Sequence, residues 1–342
     1  MQYYAGLDVS LEETAICVVD QTGKIVREMV AVSEPEALAA ALAGTGLSFE
    51  RIGMEACGTT AWLHDGMQER GVASICIDAR RANAAMKTMP NKTDRNDARS
   101  IAQIMRTGWF TQVHVKSRRS RQWRATLTAR RTVAQNLRDI QNAIRALLRE
   151  EGIKLGRPSS ASFIARAREA AGGEEALMAA VEPLLAVLTA MEQQLNRLTK
   201  IVMNLCRSDD TCRRLMTVPG VGPITAVSYV ATIDDPSRFR RSRDVGAHLG
   251  LTPRRYQSGE TDTQGHISRC GDEAMRALLY EAANALLCVS RKWSSLKVWG
   301  MAVAKRRGLN RARVAVARKL ATILHHMWSD ETDFRYGKEI AA

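Results

Sequence analysis

The first hundred residues alternate between the period of a β-strand and that of an α-helix, and this alternation limits the fold more than any other feature. The segments YYAGLDVS, ETAICVVD and KIVREMVAV predict three successive strands, with DQTGK as the turn between the second and the third. A helix near Glu34 to Ala43, a strand FERIGMEA, a helix near Ala61 to Arg70, a strand ASICID and one more amphipathic helix follow. We therefore predict an α/β domain over residues 1–112, on a mixed sheet that opens with a hairpin.

Residues 113–212 are predicted to be helical and to bind nucleic acid. One long basic helix runs from Ser117 to about Glu151, and apolar residues recur at three- and four-residue spacing from about Glu174 to Cys206. This second pattern is typical of a packing or coiled-coil helix, which we expect to serve self-association. The part from 153 to 207 acts as a linker between the two ends of the chain.

A mainly α-helical third domain is predicted over residues 213–330, followed by a tail at 331–342. Gly220 and Gly222 in VPGVGPITA allow a tight turn between two helices, and bare amides there could approach a phosphate, as in helix-hairpin-helix units. A plain interhelical turn explains the glycines equally well. The segment GLTPRRYQSGETDTQGHISRCGD is polar and lacks periodicity, which predicts a loop.

The charge of the chain predicts a polyanionic partner, since the formal net charge is +14 and the sequence pI is about 9.8. Two stretches concentrate this excess, Lys116 to Arg149 and Lys305 to Lys319. We favour nucleic acid over a solubility role, because such one-sided runs repel themselves unless phosphates neutralise them. The candidate contacts are Arg118, Arg119, Arg121, Arg124, Arg130, Arg131, Gly220, Gly222, Arg254, Arg255, Arg306, Arg307 and Arg311.

A membrane partner is not expected, because no apolar stretch is long enough to span a bilayer and the N-terminus does not resemble a signal peptide. We therefore expect a soluble, cytoplasmic protein.

Two acids three residues apart, Asp94 and Asp97 in PNKTDRNDARSIAQ, open a predicted helix. They share a helix face, so they repel each other unless a cation lies between them. Taken alone, the stretch is better explained by helix capping, with Thr93 as the cap and the two acids at the positive end of the helix dipole.

Two further acids change this balance, because Asp8 lies within an apolar strand and Glu55 at the end of another. An acid in such a strand is costly unless it is paired or binds a metal. If the first and fourth strands are neighbours, as in a ribonuclease H-type sheet, all four acids could converge at one edge. Such a cluster suits two Mg²⁺ ions roughly 4 Å apart in phosphoryl transfer.

The order of Asp8 in GLDVS, Glu55 in MEACGT and the pair in NKTDRNDAR resembles the DEDD signature of bacterial insertion-sequence transposases, whose N-terminal domain resembles Holliday-junction resolvases. VPGVGPITA, HLGLTPRRYQSG and ISRCGDEAMRALLYEAA resemble the C-terminal transposase domain of the same bridge-RNA-guided recombinase family. The segment from about Ile153 to Arg207 matches little beyond its helical character.

This resemblance implies that Asp8, Glu55, Asp94 and Asp97 hold Mg²⁺ and that Ser258, the serine of RYQSG, attacks the DNA phosphodiester to form a phosphoserine intermediate. It also implies a site composed from two protomers, dimers that pair into tetramers, and a bridge RNA that pairs with donor and target DNA. The cell would be bacterial, with the protein on the nucleoid when it is bound to DNA.

Three alternatives stay open from the residues themselves. The first is a resolvase-like, magnesium-dependent nuclease that uses water and ignores Ser258. The second is a protein that binds RNA or bridges DNA without catalysis. The third, an actin-like sugar kinase, shares the GLDVS opening but is disfavoured by the charge and by the lack of a second glycine-rich phosphate loop.

Overall fold

The chain opens with three antiparallel strands, as the sequence pattern predicts. They are β1 (Tyr3–Val9), β2 (Glu13–Asp20) and β3 (Ile25–Val32). This computed structural model describes residues 1–79 and 93–337, and it divides into two compact units, 1–116 and 117–342.

The predicted turn between β2 and β3 is held by Asp20. Its carboxylate accepts hydrogen bonds from the Thr22 and Lys24 amides at 2.8 and 3.1 Å, and Gly23 has a φ of +88°. A hydrogen bond from the Thr22 hydroxyl, followed by these amides, lowers the pKa of Asp20. The turn therefore follows from an acid and a glycine at fixed positions.

The rest of the first unit adds two strands and three described helices. These are α1 (Pro35–Ala43), β4 (Phe49–Glu55), α2 (Thr60–Gln68), β5 (Ile75–Ile77) and α3 (Asp94–Thr107). The sheet order is β3-β2-β1-β4-β5, with β4 parallel to both β1 and β5. The mixed α/β sheet and the adjacency of the first and fourth strands are thus confirmed.

Helices cover both faces of this sheet. On one face, Leu7 and Met54 pack with Leu38 of α1 and Leu63 of α2. On the other face, Tyr4 and Ile77 pack against α3, whose sheet-facing side is Ala98, Ile101, Ala102 and Met105. Successive residues of a strand point to opposite faces, so β1 contributes Tyr4 to the α3 side and Ala5 and Leu7 to the other.

The contact of α3 with β1 depends on Gly6. A Cβ atom at Gly6 would lie 2.3 Å from both the Ala98 carbonyl oxygen and the Ala102 nitrogen. These atoms belong to the helix backbone, so they cannot move aside as a side chain could. Glycine therefore sets how closely α3, with its acidic first turn, lies on the sheet.

The second unit begins with a long helical hairpin. The helices are α4 (Arg118–Glu150), α5 (Ser160–Ala171) and α6 (Glu175–Ser208). Leu148 and Val181 share one core, while Trp123 and Val202 share another, so α4 and α6 run antiparallel. The apolar seam of α6 thus packs within the chain; self-association remains a prediction.

The remaining helices build the main core of the second unit around the buried Tyr229, whose hydroxyl donates to the Ala321 carbonyl at 2.6 Å. They are α7 (Asp210–Leu215), α8 (Pro223–Ile233), α9 (Asp244–His248), α10 (Glu273–Asn284), α11 (Ser295–Arg307) and α12 (Leu309–Ser329). The mainly helical character of this region is confirmed. No described helix is both long and apolar enough to cross a membrane.

The segment predicted to be a loop is instead a β-hairpin, formed by β6 (Pro253–Ser258) and β7 (Thr261–Ile267). Every residue of β6 is exposed, so no apolar alternation marks this strand in the sequence. Of the predicted tail, residues 331–337 are described, with Phe334 buried against the main core, and residues 338–342 lie outside the described residues.

We predict that Gly6→Ala destabilises the first unit by about 1–3 kcal/mol, because the added methyl group must push the α3 backbone off the sheet. Hydrogen exchange of the β1 and α3 amides should report this loss. Gly58→Ala is the matched control, since a Cβ atom there meets nothing within 4 Å. Equal protection in the two variants would contradict this account of the packing.

Candidate functional site

The four predicted acids lie at one end of one sheet face. The core contacts of β1 place Tyr3, Ala5, Leu7 and Val9 on the α1 and α2 side, so alternation puts Asp8 on the α3 side. By the same argument, Glu55 follows Met54 onto the α3 side, and Leu7 is paired with Met54 in the parallel ladder. Asp8 and Glu55 are therefore neighbours on adjacent strands.

Asp94 and Asp97 occupy the first turn of α3. Asp94 is four residues before the sheet-facing Ala98, and Asp97 is four residues before Ile101, so both lie on the helix side that faces β1 and β4. The structure thus brings the four acids to the same corner of the first unit. Asp94 is exposed and the other three are partly buried.

Carboxylates are the donors that Mg²⁺ prefers, so the chemistry of this set fits the ion. Within residues 1–79 and 93–337, however, no three acidic, histidine or cysteine side chains are close enough to hold a metal. The strand and helix positions place the four acids at one end of the sheet, and their convergence on a metal ion remains a prediction.

The capping explanation of the acidic stretch is also supported. The Thr93 hydroxyl accepts a hydrogen bond from the Asn96 amide at 3.2 Å, and Gly108 ends the helix with a φ of +71°. Asp94 and Asp97 lie near the positive end of the α3 dipole. Capping and metal binding are compatible, because Thr93 supplies the cap and leaves both carboxylates to face the sheet.

Glu28 on β3 is a residue that the sequence analysis missed. Its carboxylate accepts hydrogen bonds from Arg99 Nε at 2.6 Å and from Arg95 Nε at 2.9 Å. These bonds, first from Arg99 and then from Arg95, lower the pKa of Glu28 to about 2. Because both arginines belong to the first turns of α3, Glu28 fixes the helix end that carries Asp94 and Asp97.

We predict that Glu28→Gln lowers the free energy of unfolding of the first unit by about 1 kcal/mol near neutral pH. The wild-type pair stabilises the fold above the unfolded pKa of about 4.5, and this stability is lost as the pH falls towards 2. Urea unfolding between pH 2 and 7 should show this loss in the wild type and not in the variant. Glu50→Gln, at an exposed position of β4, should keep the wild-type pH dependence.

Ser258 is the last residue of β6, paired with Thr261 across the tip of the hairpin, and Gly259 follows it with a φ of +55°. The hydroxyl is thus presented at an exposed tip. A strand, and not a loop, carries it. Ser258 belongs to the second compact unit and the four acids belong to the first.

The base of this hairpin is closed by residues of the motifs HLGL and RCGDEAMR. Arg276 Nη1 donates to the carbonyl oxygens of Leu249, Cys270 and Gly271 at 3.3, 3.1 and 3.0 Å. A Cβ atom at Gly250 would lie 2.0 Å from the Cys270 carbonyl oxygen. One guanidinium and one glycine therefore join the two ends of the hairpin to the helical core.

We predict that Arg276→Ala raises the hydrogen-exchange rate of the β6 and β7 amides by about tenfold, because three carbonyls lose a charged donor. The α8 and α12 amides should keep their protection. Arg240→Ala, at an exposed position of the same unit, serves as the control. If exchange in the hairpin is unchanged, Arg276 does not hold its base.

Several of the candidate contacts on α4 are engaged within the chain. Arg119 pairs with Asp209 and lies over the Trp123 ring at 4.3 Å, Arg124 pairs with Asp272 at 2.7 Å, and Arg130 Nε donates to the Thr199 hydroxyl at 2.9 Å. Arg121 is partly buried. Exposed candidates include Arg118 and Arg131 on α4 and Arg306, Arg307 and Arg311 at the α11–α12 turn. Their contacts with nucleic acid remain predictions.

The two glycines between α7 and α8 have different surroundings. Gly220 has a φ of +91°, and a Cβ atom there would lie 2.3 Å from the Ala282 carbonyl oxygen of α10, so packing alone explains this glycine. A Cβ atom at Gly222 meets nothing within 4 Å. The plain interhelical turn therefore accounts for Gly220, while the phosphate contact remains a prediction for both positions.

Comparison with known proteins defines the class. A family model described as "Transposase IS116/IS110/IS902 family" matches residues 212–298, which include Ser258. A model of the DEDD-type IS110 domain, described as "Transposase", matches residues 5–152, which include the four acids. The protein is a transposase, an enzyme that cuts and rejoins DNA.

Whole-chain similarities agree. The probable family 20 transposase of Pseudomonas aeruginosa is 30% identical over 292 residues, which are 84% of this chain and 86% of that protein. The transposase for insertion sequence element IS1111A of Coxiella burnetii is 28% identical over 339 residues, 97% of this chain and 91% of that protein. The chain belongs to the IS116/IS110/IS902 family of insertion-sequence transposases, so the resemblance found in its motifs is confirmed at the level of the family.

Proposed function

We propose that this transposase cuts and rejoins DNA strands through a covalent phosphoserine intermediate, with Ser258 as the nucleophile and with Asp8, Glu55, Asp94 and Asp97 as ligands of Mg²⁺. The observation that carries the proposal is that the strands of Asp8 and Glu55 are neighbours and that α3, whose first turn carries Asp94 and Asp97, packs on the same sheet face. Their strand-end positions also support a ribonuclease H or resolvase type of first domain.

Each residue has a chemical role in this proposal. The Ser258 oxygen attacks the phosphorus of the DNA backbone, so a serine–phosphorus bond forms and the bond to one deoxyribose oxygen breaks, with the serine proton passing to solvent or to that leaving oxygen. A second DNA hydroxyl later displaces Ser258 and rejoins the strand. When bound, Mg²⁺ would neutralise charge on the transferring phosphate.

The site is proposed to be shared between protomers, with the acids of one chain acting on the serine of another. Support comes from the family resemblance and from the placement of the two sets in separate compact units of one chain. Dimers that pair into tetramers on DNA would provide such sites. This arrangement would also confine the chemistry to complexes that hold both donor and target DNA.

A structured bridge RNA is proposed to select the donor and target sequences by base pairing. The net charge of +14 and the exposed arginines at the α11–α12 turn suit a partner recognised through its phosphates. In such a system the protein reads the shape and the backbone of a duplex, and base pairs read the sequence.

A covalent-trapping gel tests this function. The full-length protein is incubated with Mg²⁺ and labelled donor and target duplexes, with and without RNA transcribed from the element's flanks. We predict a denaturant-resistant protein–DNA adduct that requires the RNA, disappears in Ser258→Ala, and falls at least about hundredfold in Asp94→Asn. Ser208→Ala and Asp139→Asn, at exposed positions of α6 and α4, should form the adduct normally.

The alternative functions give different results in the same gel. Strand cleavage without an adduct, lost in Asp94→Asn and kept in Ser258→Ala, would indicate a hydrolytic nuclease that uses water. An adduct that forms without RNA would overturn RNA guidance and keep the phosphoserine chemistry. No cleavage in any variant, with DNA binding intact, would indicate a protein that only bridges nucleic acids.

A further inference from the structure

The hairpin that carries Ser258 has two chemically different faces. The ladder pairs Tyr256 with Thr263 and Ser258 with Thr261, so these four residues lie on one face. Arg254 is two residues before Tyr256 on β6 and lies on the same face, beside a register shift of the ladder between Pro253 and Arg255. Arg254, Tyr256 and Ser258 are called the serine face here. Arg255 and Gln257 point to the opposite face.

The opposite face is occupied by an ion pair within the hairpin. Arg255 Nε and Nη2 donate to the two carboxylate oxygens of Asp262 at 2.8 and 2.7 Å. These bonds raise the pKa of Arg255 and lower that of Asp262. The pair ties the two strands together and neutralises the charge of Arg255. Of the two arginines before the serine, Arg255 is therefore the structural one.

The serine face presents a cation, an aromatic ring and the hydroxyl in a row. Tyr256 is 66% exposed, and none of the ring contacts between described residues includes it. Arg254 Nη2 donates to the Ser268 carbonyl at 3.1 Å, which orients the guanidinium without neutralising it. A large aromatic side chain exposed on an isolated hairpin gains nothing from the chain's own core.

The spacing along β6 matches a nucleic-acid strand. Residues two apart on one strand face are about 7 Å apart, which corresponds to about two base steps of a DNA strand. A tyrosine ring offers a stacking surface to any base, and a guanidinium binds phosphate oxygens. The same row would fit a DNA strand whose scissile phosphate lies at Ser258. The base next to that phosphate would have left the duplex stack and would lie against Tyr256.

We propose that the serine face is a binding site for an unpaired DNA nucleotide beside the scissile phosphate, in which Tyr256 stacks on its base and Arg254 contacts a backbone phosphate farther along the same strand. This inference rests on the proposed nucleophilic role of Ser258. The stacked base holds the strand so that the phosphodiester lies at the hairpin tip, and it restricts attack to sites where the duplex has opened.

The test uses the full-length protein and a 20-nucleotide single-stranded DNA that carries 5-iododeoxyuridine. Ultraviolet cross-linking followed by mass spectrometry should place the cross-link on Tyr256, and anisotropy should show that Tyr256→Leu raises the Kd about tenfold. Tyr256→Phe keeps the ring and should bind like the wild type. Gln257→Ala, on the opposite face, is the matched control, and circular dichroism checks that every variant is folded.

Ser258→Ala separates this inference from the proposed function. Stacking does not need the serine–phosphorus bond, so the cross-link to Tyr256 should persist in this variant while the covalent adduct is lost. Unchanged affinity in Tyr256→Leu, with no cross-link on the hairpin, would overturn the binding site even if the Ser258 adduct forms. A cross-link to Tyr256 with no adduct in the wild type would instead remove the role proposed for Ser258.

Discussion

The close approach of α3 to β1 at Gly6 is the constraint on which the acidic corner depends. Ala98 and Ala102 can touch the strand only because residue 6 lacks a Cβ atom. That contact places the first turn of α3 over the strand ends that carry Asp8 and Glu55. Glu28 then holds the same turn from the side through Arg95 and Arg99. A packing contact and an ion pair, neither of which includes a predicted metal ligand, therefore determine where two of those ligands lie.

The sequence predicted the first unit well because its strands repeat apolar residues every two positions and its helices every three to four, and because turn residues such as those of DQTGK separate them. The convergence of the acids required β1 and β4 to be adjacent strands. The parallel pairing of β1 with β4, in which Leu7 lies opposite Met54, confirms that they are. Glu28 could not be found in the same way. It is one glutamate on an edge strand, and its importance comes from two arginines that are 67 and 71 residues away in the chain. Such long-range pairs leave no local signal.

The hairpin of the second unit could not be predicted from the sequence pattern. Its strands are polar on both faces, so the alternation that identifies a half-buried strand is absent and the segment was predicted as a loop. What stabilises it is the cross-strand pair Arg255–Asp262 and the closure of its base by Arg276. Ser258 was found through its motif alone. The structure places it at an exposed strand end, where its hydroxyl faces solvent.

The net charge of the chain overstates the surface that is free to bind phosphate. Arg119, Arg124 and Arg255 each pair with an aspartate of the same unit, and Arg130 is buried enough that desolvation lowers its pKa. Counting arginines in a basic run therefore mixes residues that hold helices together with residues that face solvent. Arg306, Arg307 and Arg311 at the α11–α12 turn are better candidates for binding a polyanion than the paired arginines. They are exposed and close together at a helix end, and no described aspartate or glutamate forms an ion pair with them.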